Sequence, residues 1–264
     1  MNIPSNPFKS SLQRRPSIGI WSMLSSAPTI ELLSHSGFDW MLLDMEHGPT
    51  DVSTLRQELM ALNGSRTAPV VRVKWNDMVE LKRVLDLGVQ TVMIPQVHSV
   101  AEARNAVAYT RYPPAGVRGV AGGTRATRYG RIKDYYRYAE QELCVLIQVE
   151  SRAAMDDLSA IAAIDGVDGI FIGPSDFAAS IGHLGNPAHA DVQTAICDAL
   201  KIIHAAGKAA GTIATQEASA QRMIELGFDF VAVGIDVGLL AQAADALLAK
   251  FVEGGHEKGG GTNY

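Results

Sequence analysis

Glu150 and Asp176 each follow a short apolar run that reads as a buried parallel strand, Val145-Leu146-Ile147-Gln148-Val149 and Gly169-Ile170-Phe171-Ile172. Carboxylates at the ends of successive strands repel each other unless a cation lies between them, and a hard divalent ion with oxygen ligands reconciles them. Two protein ligands would leave coordination positions open for water and substrate oxygens. Gln148 and Glu150 are two residues apart in an extended strand, so their side chains leave it on the same side. Each acid also has an ordinary explanation. Asp176 or Ser175 would serve as the cap of a helix opened by Gly173-Pro174-Ser175-Asp176, and Glu150 as a surface acid or the partner of Arg152.

Arg72 stands in the apolar run Val70-Val71-Arg72-Val73, where a guanidinium needs an anion close by. A structural salt bridge would satisfy it. Beside a metal, the same fixed cation would stabilise an enolate oxygen. His47, in Asp44-Met45-Glu46-His47-Gly48-Pro49, is the best placed of the seven histidines to act as a base near neutral pH. The other six, His35, His98, His183, His189, His204 and His256, read as structural or solvated. Trp21, Gln96, Thr212 and Asp236 complete the polar or aromatic residues near run ends.

These residues need a scaffold that gathers run ends. Eight runs recur along the chain: 18–21, 40–44, 70–73, 91–94, 144–150, 169–172, 209–213 and 230–234. Helical periodicity falls between them, over 27–35, 78–87, 101–109, 192–206 and 217–226, with Gly37, Gly88, Gly207 and Gly227 placed as helix ends. Apolar strands alternating with amphipathic helices predict a parallel sheet, and eight repeats predict a closed (β/α)8 TIM barrel whose active site lies at the carboxyl ends of the strands. A doubly wound open sheet is the alternative. Residues 111–138, rich in Gly and Arg, break the rhythm and predict a functional loop. A single barrel domain over 1–253 and a Gly-rich tail over 254–264, disordered unless a partner subunit orders it, complete the expected organisation.

The composition, 47% hydrophobic and 19% charged over 264 residues with a formal charge of -5, is that of a soluble globular protein with no general attraction to nucleic acid or anionic membranes. The basic residues Arg118, Arg125, Arg128, Arg131, Lys133 and Arg137 therefore point to an anionic small molecule or a subunit contact. Cys144 and Cys197 lack metal-ligand spacing and read as buried thiols in a reducing compartment. The stretch after Arg14-Arg15 makes a poor signal peptide, and no run reaches the length of a membrane span, so a cytoplasmic location is expected. Walker, Rossmann and nucleophile-elbow motifs are missing.

At Asp44-Met45-Glu46-His47-Gly48, Val71-Arg72, Arg111-Tyr112-Pro113-Pro114-Ala115-Gly116-Val117-Arg118-Gly119, Gln148-Val149-Glu150 and Gly169-Ile170-Phe171-Ile172-Gly173-Pro174-Ser175-Asp176, the chain resembles the HpcH/HpaI aldolases. These are metal-dependent class II pyruvate aldolases of the phosphoenolpyruvate/pyruvate barrel superfamily. The resemblance implies cleavage of a 4-hydroxy-2-oxo acid to pyruvate and an aldehyde with Mg2+, Mn2+ or Co2+ held by Glu150 and Asp176. It implies that Arg72 contacts the keto oxygen and that His47 is the base, acting through a metal-bound water and oriented by Asp86 of a neighbouring subunit. Gln148 and the backbone of Gly173, Pro174, Ser175 and Asp176 would hold the pyruvate carboxylate, Asp44 would support the bound water from behind, and Trp21 would line the substrate site. Arg125 is the expected contact for a distal carboxylate. Residues 121–127 and 211–214 depart from the family pattern and are expected to face the aldehyde. A homohexamer, a trimer of dimers, is implied as well.

A Schiff-base aldolase would require a lysine near the barrel mouth, for which Lys74 and Lys208 are the poor candidates. Oxaloacetate decarboxylation would use the same metal and enolate stabiliser. A non-catalytic anion-binding barrel would leave the Glu150, Asp176, Arg72 and His47 constellation without a purpose.

Overall fold

The computed structural model describes residues 2–12 and 16–252; the Arg14-Arg15 pair and the tail from 254 lie outside the described residues. The strands are β1 Ser17–Ser22, β2 Trp40–Asp44, β3 Ala68–Arg72, β4 Thr91–Ile94, β5 Cys144–Val149, β6 Gly169–Ile172, β7 Ala209–Ile213 and β8 Phe230–Ile235. Each is parallel to the next, and β8 pairs with β1, closing the barrel. All eight apolar runs fall on these strands. Val73 and Glu150 lie one residue past β3 and β5, where the strands open at the carboxyl-terminal mouth of the barrel.

The helices are α1 Pro7–Ser11, α2 Ala27–Ser34, α3 Val52–Ala61, α4 Met78–Asp86, α5 Val100–Thr110 and α6 Tyr135–Glu142. They continue with α7 Arg152–Asp156, α8 Leu158–Ala162, α9 Pro174–Ser180, α10 Ala190–Ala205, α11 Glu217–Leu226 and α12 Asp236–Leu248. Alternation along the strands splits the core into two layers. Met41, Leu43, Val71, Val145, Ile147, Val149, Ile170 and Ile172 face the helices. Trp40, Leu42, Val70, Met93, Leu146, Phe171 and Phe230 fill the barrel. The inward parity of residues 40 and 42 carries on to Asp44, that of 70 to Arg72, and that of 146 to Gln148 and Glu150. Polar chemistry therefore begins where the inner apolar layer ends.

Close packing inside the barrel requires small residues opposite the large ones. A Cβ on Gly19 would lie 2.1 Å from the Trp40 ring, and one on Gly211 would lie 2.1 Å from the Phe230 ring. From α1, Phe8 closes the amino-terminal end, edge-on to Trp40 at 5.8 Å and to Phe230 at 5.4 Å.

A three-residue device recurs at that end. Gly37-Phe38-Asp39, Gly166-Val167-Asp168 and Gly227-Phe228-Asp229 each put the glycine at positive φ (91°, 92° and 100°). The following aspartates accept the backbone N–H of the second residue of the neighbouring strand, from Ile18 at 2.9 Å, Val145 at 2.8 Å and Ala210 at 2.8 Å. Each device ends a helix, turns the chain, and satisfies a strand-end donor that would otherwise lack a partner.

Two helices depart from the expected pattern. Within the irregular stretch, α6 forms at 135–142, its Tyr135 and Ala139 packing with Ala126 and Ile132 into a small separate core. In contrast, α12 buries only Asp236, and Leu239, Leu240, Leu247 and Leu248 are 47–62% exposed. No helix is long and apolar enough to cross a membrane among the described residues.

Candidate active site

At the carboxyl end of β2, Asp44 is fully buried and directly opposite Arg72 in register. Its Oδ1 accepts from Arg72 Nε at 2.9 Å and its Oδ2 from Nη2 at 2.6 Å, a two-pronged pairing that fixes the guanidinium plane. Trp21 Nε1 donates to Asp44 Oδ2 at 3.1 Å, and the Arg72 guanidinium lies 4.7 Å above the Trp21 ring centroid. The backbone N–H groups of Glu46 and His47 also point to Asp44 Oδ1, at 3.0 and 3.4 Å. Burial works to raise the Asp44 pKa, but the bonds and charge of Arg72, helped by Trp21, prevail and hold it below the usual value. Asp44 thus anchors Arg72 and the turn carrying His47. Trp21, 4% exposed, is the floor beneath the guanidinium.

Glu46 extends this network toward the other acids. Its Oε2 is 2.8 Å from Arg72 Nη1, an ion pair without hydrogen-bond geometry. Gln96, past β4 and with φ of 54°, donates its backbone N–H to Glu150 Oε1 at 2.9 Å. Gln148 Nε2 donates to Glu150 Oε2, while the buried Gln148 Oε1 has no partner. Burial, with Asp176 and Glu46 as repelling neighbours, pushes Glu150 up to about 7 against its bonds from Gln96 and Gln148. Burial likewise pushes Glu46 up to about 7, opposed by Arg72 and reinforced by Asp44 and Asp176.

Glu46, Glu150 and Asp176 are therefore close enough to repel one another, and the one guanidinium beside them, which pairs with Glu46, is already engaged by Asp44. This local excess of negative charge would suit a divalent cation, with Glu150 and Asp176 as its oxygen ligands. Neither ordinary explanation of the acids holds. Asp176 is exposed in the first turn of α9, which Gly173 caps without a side-chain bond. Glu150 is 3% exposed and bonded to Gln96 and Gln148. Gly173 belongs to the cradle because a Cβ there would meet Glu150 Oε2 at 2.7 Å. Pro174 and Ser175 begin α9 beside it, and His47 is exposed at the mouth.

Other expected residues are placed elsewhere. Asp86 ends α4, which runs from the catalytic end of the barrel to the opposite end, and pairs with the buried Arg118 at 3.2 Å. Arg125 donates to the carbonyls of Leu87 at 2.6 Å and Leu59 at 3.4 Å, close to the ends of α4 and α3. Residues 111–138 follow α5 and lie at this amino-terminal end. Within its own chain, therefore, the 121–127 stretch does not face the mouth, and Arg125 is spent on backbone carbonyls rather than on a distal carboxylate. The reason is that α5 carries the chain away from the mouth before the irregular stretch begins. Thr212 Oγ1 donates to the carbonyl of Ile172, and Asp236 accepts from Ser22, Met23, Leu24 and Val237, so both serve the scaffold. Lys208 donates to the carbonyl of Val167 at the amino-terminal end, and Lys74 is exposed, so neither forms a buried Schiff-base site.

Glu46 and Gln96 are the residues that residue-type reasoning undervalued. In sequence Glu46 is one more acid beside His47, and its pairing with Arg72 becomes visible only when β2 and β3 lie in register. Gln96 acts through its backbone, which no side-chain pattern reveals. A cavity of about 830 Å3 beside Ser11, Ser34, His35 and Thr67 lies at the amino-terminal end, remote from this chemistry.

Carboxylates for a cation, a pinned guanidinium and an imidazole at the carboxyl ends of a (β/α)8 barrel define a carbon–carbon lyase of the metal-dependent aldolase type. The family model for HpcH/HpaI aldolase/citrate lyase matches residues 17–243, and the chain belongs to that family. It is 51% identical over 248 residues to a Salmonella dublin protein named 4-hydroxy-2-oxo-heptane-1,7-dioate aldolase, covering 93% of this chain and 94% of the relative. An HpcH/HpaI aldolase/citrate lyase family structure from Burkholderia cenocepacia J2315 superposes with a TM-score of 0.91 at 38% identity, covering 93% of this chain and 99% of that one. The HpcH/HpaI aldolase from Desulfitobacterium hafniense DCB-2, at 22% identity and TM-score 0.82 over 95% and 97% of the chains, shares the fold.

Proposed function

We propose that the chain catalyses the divalent-metal-dependent, reversible retro-aldol cleavage of 4-hydroxy-2-oxo acids to pyruvate and an aldehyde. The observation that carries this reading is the cluster of mutually repelling acids Glu46, Glu150 and Asp176, whose Glu46 pairs with an Arg72 held rigid by Asp44 and Trp21. Glu150 and Asp176 would hold Mg2+, Mn2+ or Co2+, which supplies Lewis acidity to the 2-oxo group. Arg72 spends its Nε edge on Asp44 and turns its Nη1 side toward the cluster, where it stabilises the oxyanion that develops as the C3–C4 bond breaks. His47 takes the proton of the C4 hydroxyl, and its return to C3 completes pyruvate. The Gln148 side chain and the backbone of Gly173, Pro174, Ser175 and Asp176 hold the substrate carboxylate.

For the physiological substrate we propose 4-hydroxy-2-oxoheptane-1,7-dioate, releasing succinic semialdehyde. The name of the 51% identical relative supports it. 2-Dehydro-3-deoxyglucarate and 2-keto-3-deoxyrhamnonate are the competing substrates, and oxaloacetate decarboxylation is a compatible side activity. The test is a cleavage assay over these acids after chelation and after return of each metal. Full turnover by the chelated enzyme would overturn the mechanism, and preference for another acid would overturn the substrate.

The proposal includes a cytoplasmic homo-oligomer, a hexamer built as a trimer of dimers. Supporting it are the leucines of α12, too exposed for an isolated barrel, and Asp86, which topology keeps from His47 of its own chain. Sedimentation of the intact chain as a monomer at micromolar concentration would refute it.

A further inference from the structure

His183, His189 and Asp191 form a cluster that the catalytic site does not use. His183 and His189 lie in the connection between α9 and α10, and Asp191 is in the first turn of α10. The two rings stack with centroids 3.5 Å apart and planes 16° from parallel. His183 Nε2 is 3.4 Å and His189 Nδ1 is 3.7 Å from Asp191 Oδ2. The potential ligand atoms of all three residues lie within 4.8 Å of one another. Nitrogen and oxygen atoms at about 2.1 Å from a tetrahedral ion sit about 3.4 Å apart, so the carboxylate distances are close to those of a shared cation.

The backbone N–H of Asp191 donates to His189 Nδ1 at 3.2 Å and occupies that nitrogen's lone pair, so an ion bound there displaces this bond and, because it must lie in the plane of each ring, turns the two imidazoles out of their stack. Both imidazoles are partly open to solvent, so an ion can enter and keep water in its remaining positions. The connection is already braced: the backbone N–H of His183 bonds the Ala178 carbonyl at 2.8 Å, that of His189 bonds Asn186 at 3.1 Å, and Gln193 Nε2 bonds Pro187 at 2.9 Å.

We propose that His183, His189 and Asp191 are a second divalent-metal site, separate from Glu150 and Asp176, that binds a borderline transition ion such as Zn2+. Two imidazoles with one carboxylate favour Zn2+ or Ni2+ over Mg2+, which prefers oxygen ligands. The bound ion ties the start of α10 to the connection leaving α9, the helix that carries Asp176. This inference is independent of the aldolase reading.

The test is calorimetric titration of Zn2+ into the intact, tag-free, metal-stripped protein. The E150Q/D176N variant should retain one Zn2+ per chain, and H183A/H189A should lose one relative to wild type. The same H183A/H189A protein should keep its Mg2+ affinity and its Mg2+-dependent cleavage rate. A single H183Q change should weaken this Zn2+ binding at least about tenfold, which guards against misfolding of the double variant. Absence of Zn2+ binding by folded E150Q/D176N, or equal Zn2+ stoichiometry in wild type and H183A/H189A, would overturn the proposal.

Discussion

Glu58 offers a stability prediction whose size follows from the structure. It lies on the inner face of α3, 1% exposed, with Oε1 accepting from Thr50 Oγ1 at 3.4 Å and Oε2 without a partner. Burial pushes its pKa up from 4.5 to about 7, opposed by Thr50 and assisted by the nearby Asp236. Because the folded value exceeds the unfolded one, the native state holds the proton more tightly. The resulting stability is fully present below pH 4.5 and is lost as pH rises through 7. Moving a pKa from 4.5 to about 7 corresponds to about 3 kcal/mol. Glu58→Gln removes the titration while preserving shape and the acceptor for Thr50. Urea unfolding of wild type and variant at fixed protein concentration should therefore show a stability difference that shifts by about 3 kcal/mol in favour of the variant between pH 4 and pH 8. A difference that stays flat, or moves toward wild type, would refute the account of a buried, uncompensated carboxyl.

The catalytic acids make a related prediction. Glu150 and Glu46 hold protons up to about pH 7 when no cation competes, so Mn2+ affinity should be level above pH 7.5 and fall about tenfold per unit below 6.5 for each proton displaced; affinity independent of pH from 5.5 to 8 would contradict it. Gly173→Ala places a methyl 2.7 Å from Glu150 Oε2, at a backbone angle any residue tolerates, so Mn2+ affinity measured by calorimetry should drop tenfold or more with little loss of melting temperature. Arg72→Lys keeps the charge but loses the two-pronged hold of Asp44, and kcat for cleavage should fall about 100-fold with a smaller change in KM. An equal fall through KM alone would show that Arg72 serves only to bind the substrate.

Much of this site is legible in the sequence because strand alternation is so regular. Once Leu146 is assigned to the barrel interior, Gln148 and Glu150 must follow, and the same parity takes Trp40 to Asp44 and Val70 to Arg72. The same regularity fails for residues whose role depends on where a helix ends. Asp86 is eight residues before Ile94, about 26 Å of extended chain at roughly 3.3 Å per residue, yet α4 takes it to the opposite end, and α5 takes Arg125 and the basic stretch there as well. Nor does spacing reveal that His183 stacks on His189, because the connection between α9 and α10 follows neither periodicity.

The three Gly-x-Asp turns show what the sequence carried without declaring. Gly37 and Gly227 were recognisable as helix ends, whereas the aspartates two residues later look like ordinary surface acids. Their carboxylates accept the N–H of a neighbouring strand's second residue, a partner about twenty residues back in the chain that only the closed sheet brings near. The acids of this barrel thus divide by end. At the amino-terminal end the three turn aspartates, Asp39, Asp168 and Asp229, each have a backbone donor. At the carboxyl-terminal end Glu46, Glu150 and Asp176 share too few donors, and that deficit of positive charge is what makes the site receptive to a cation.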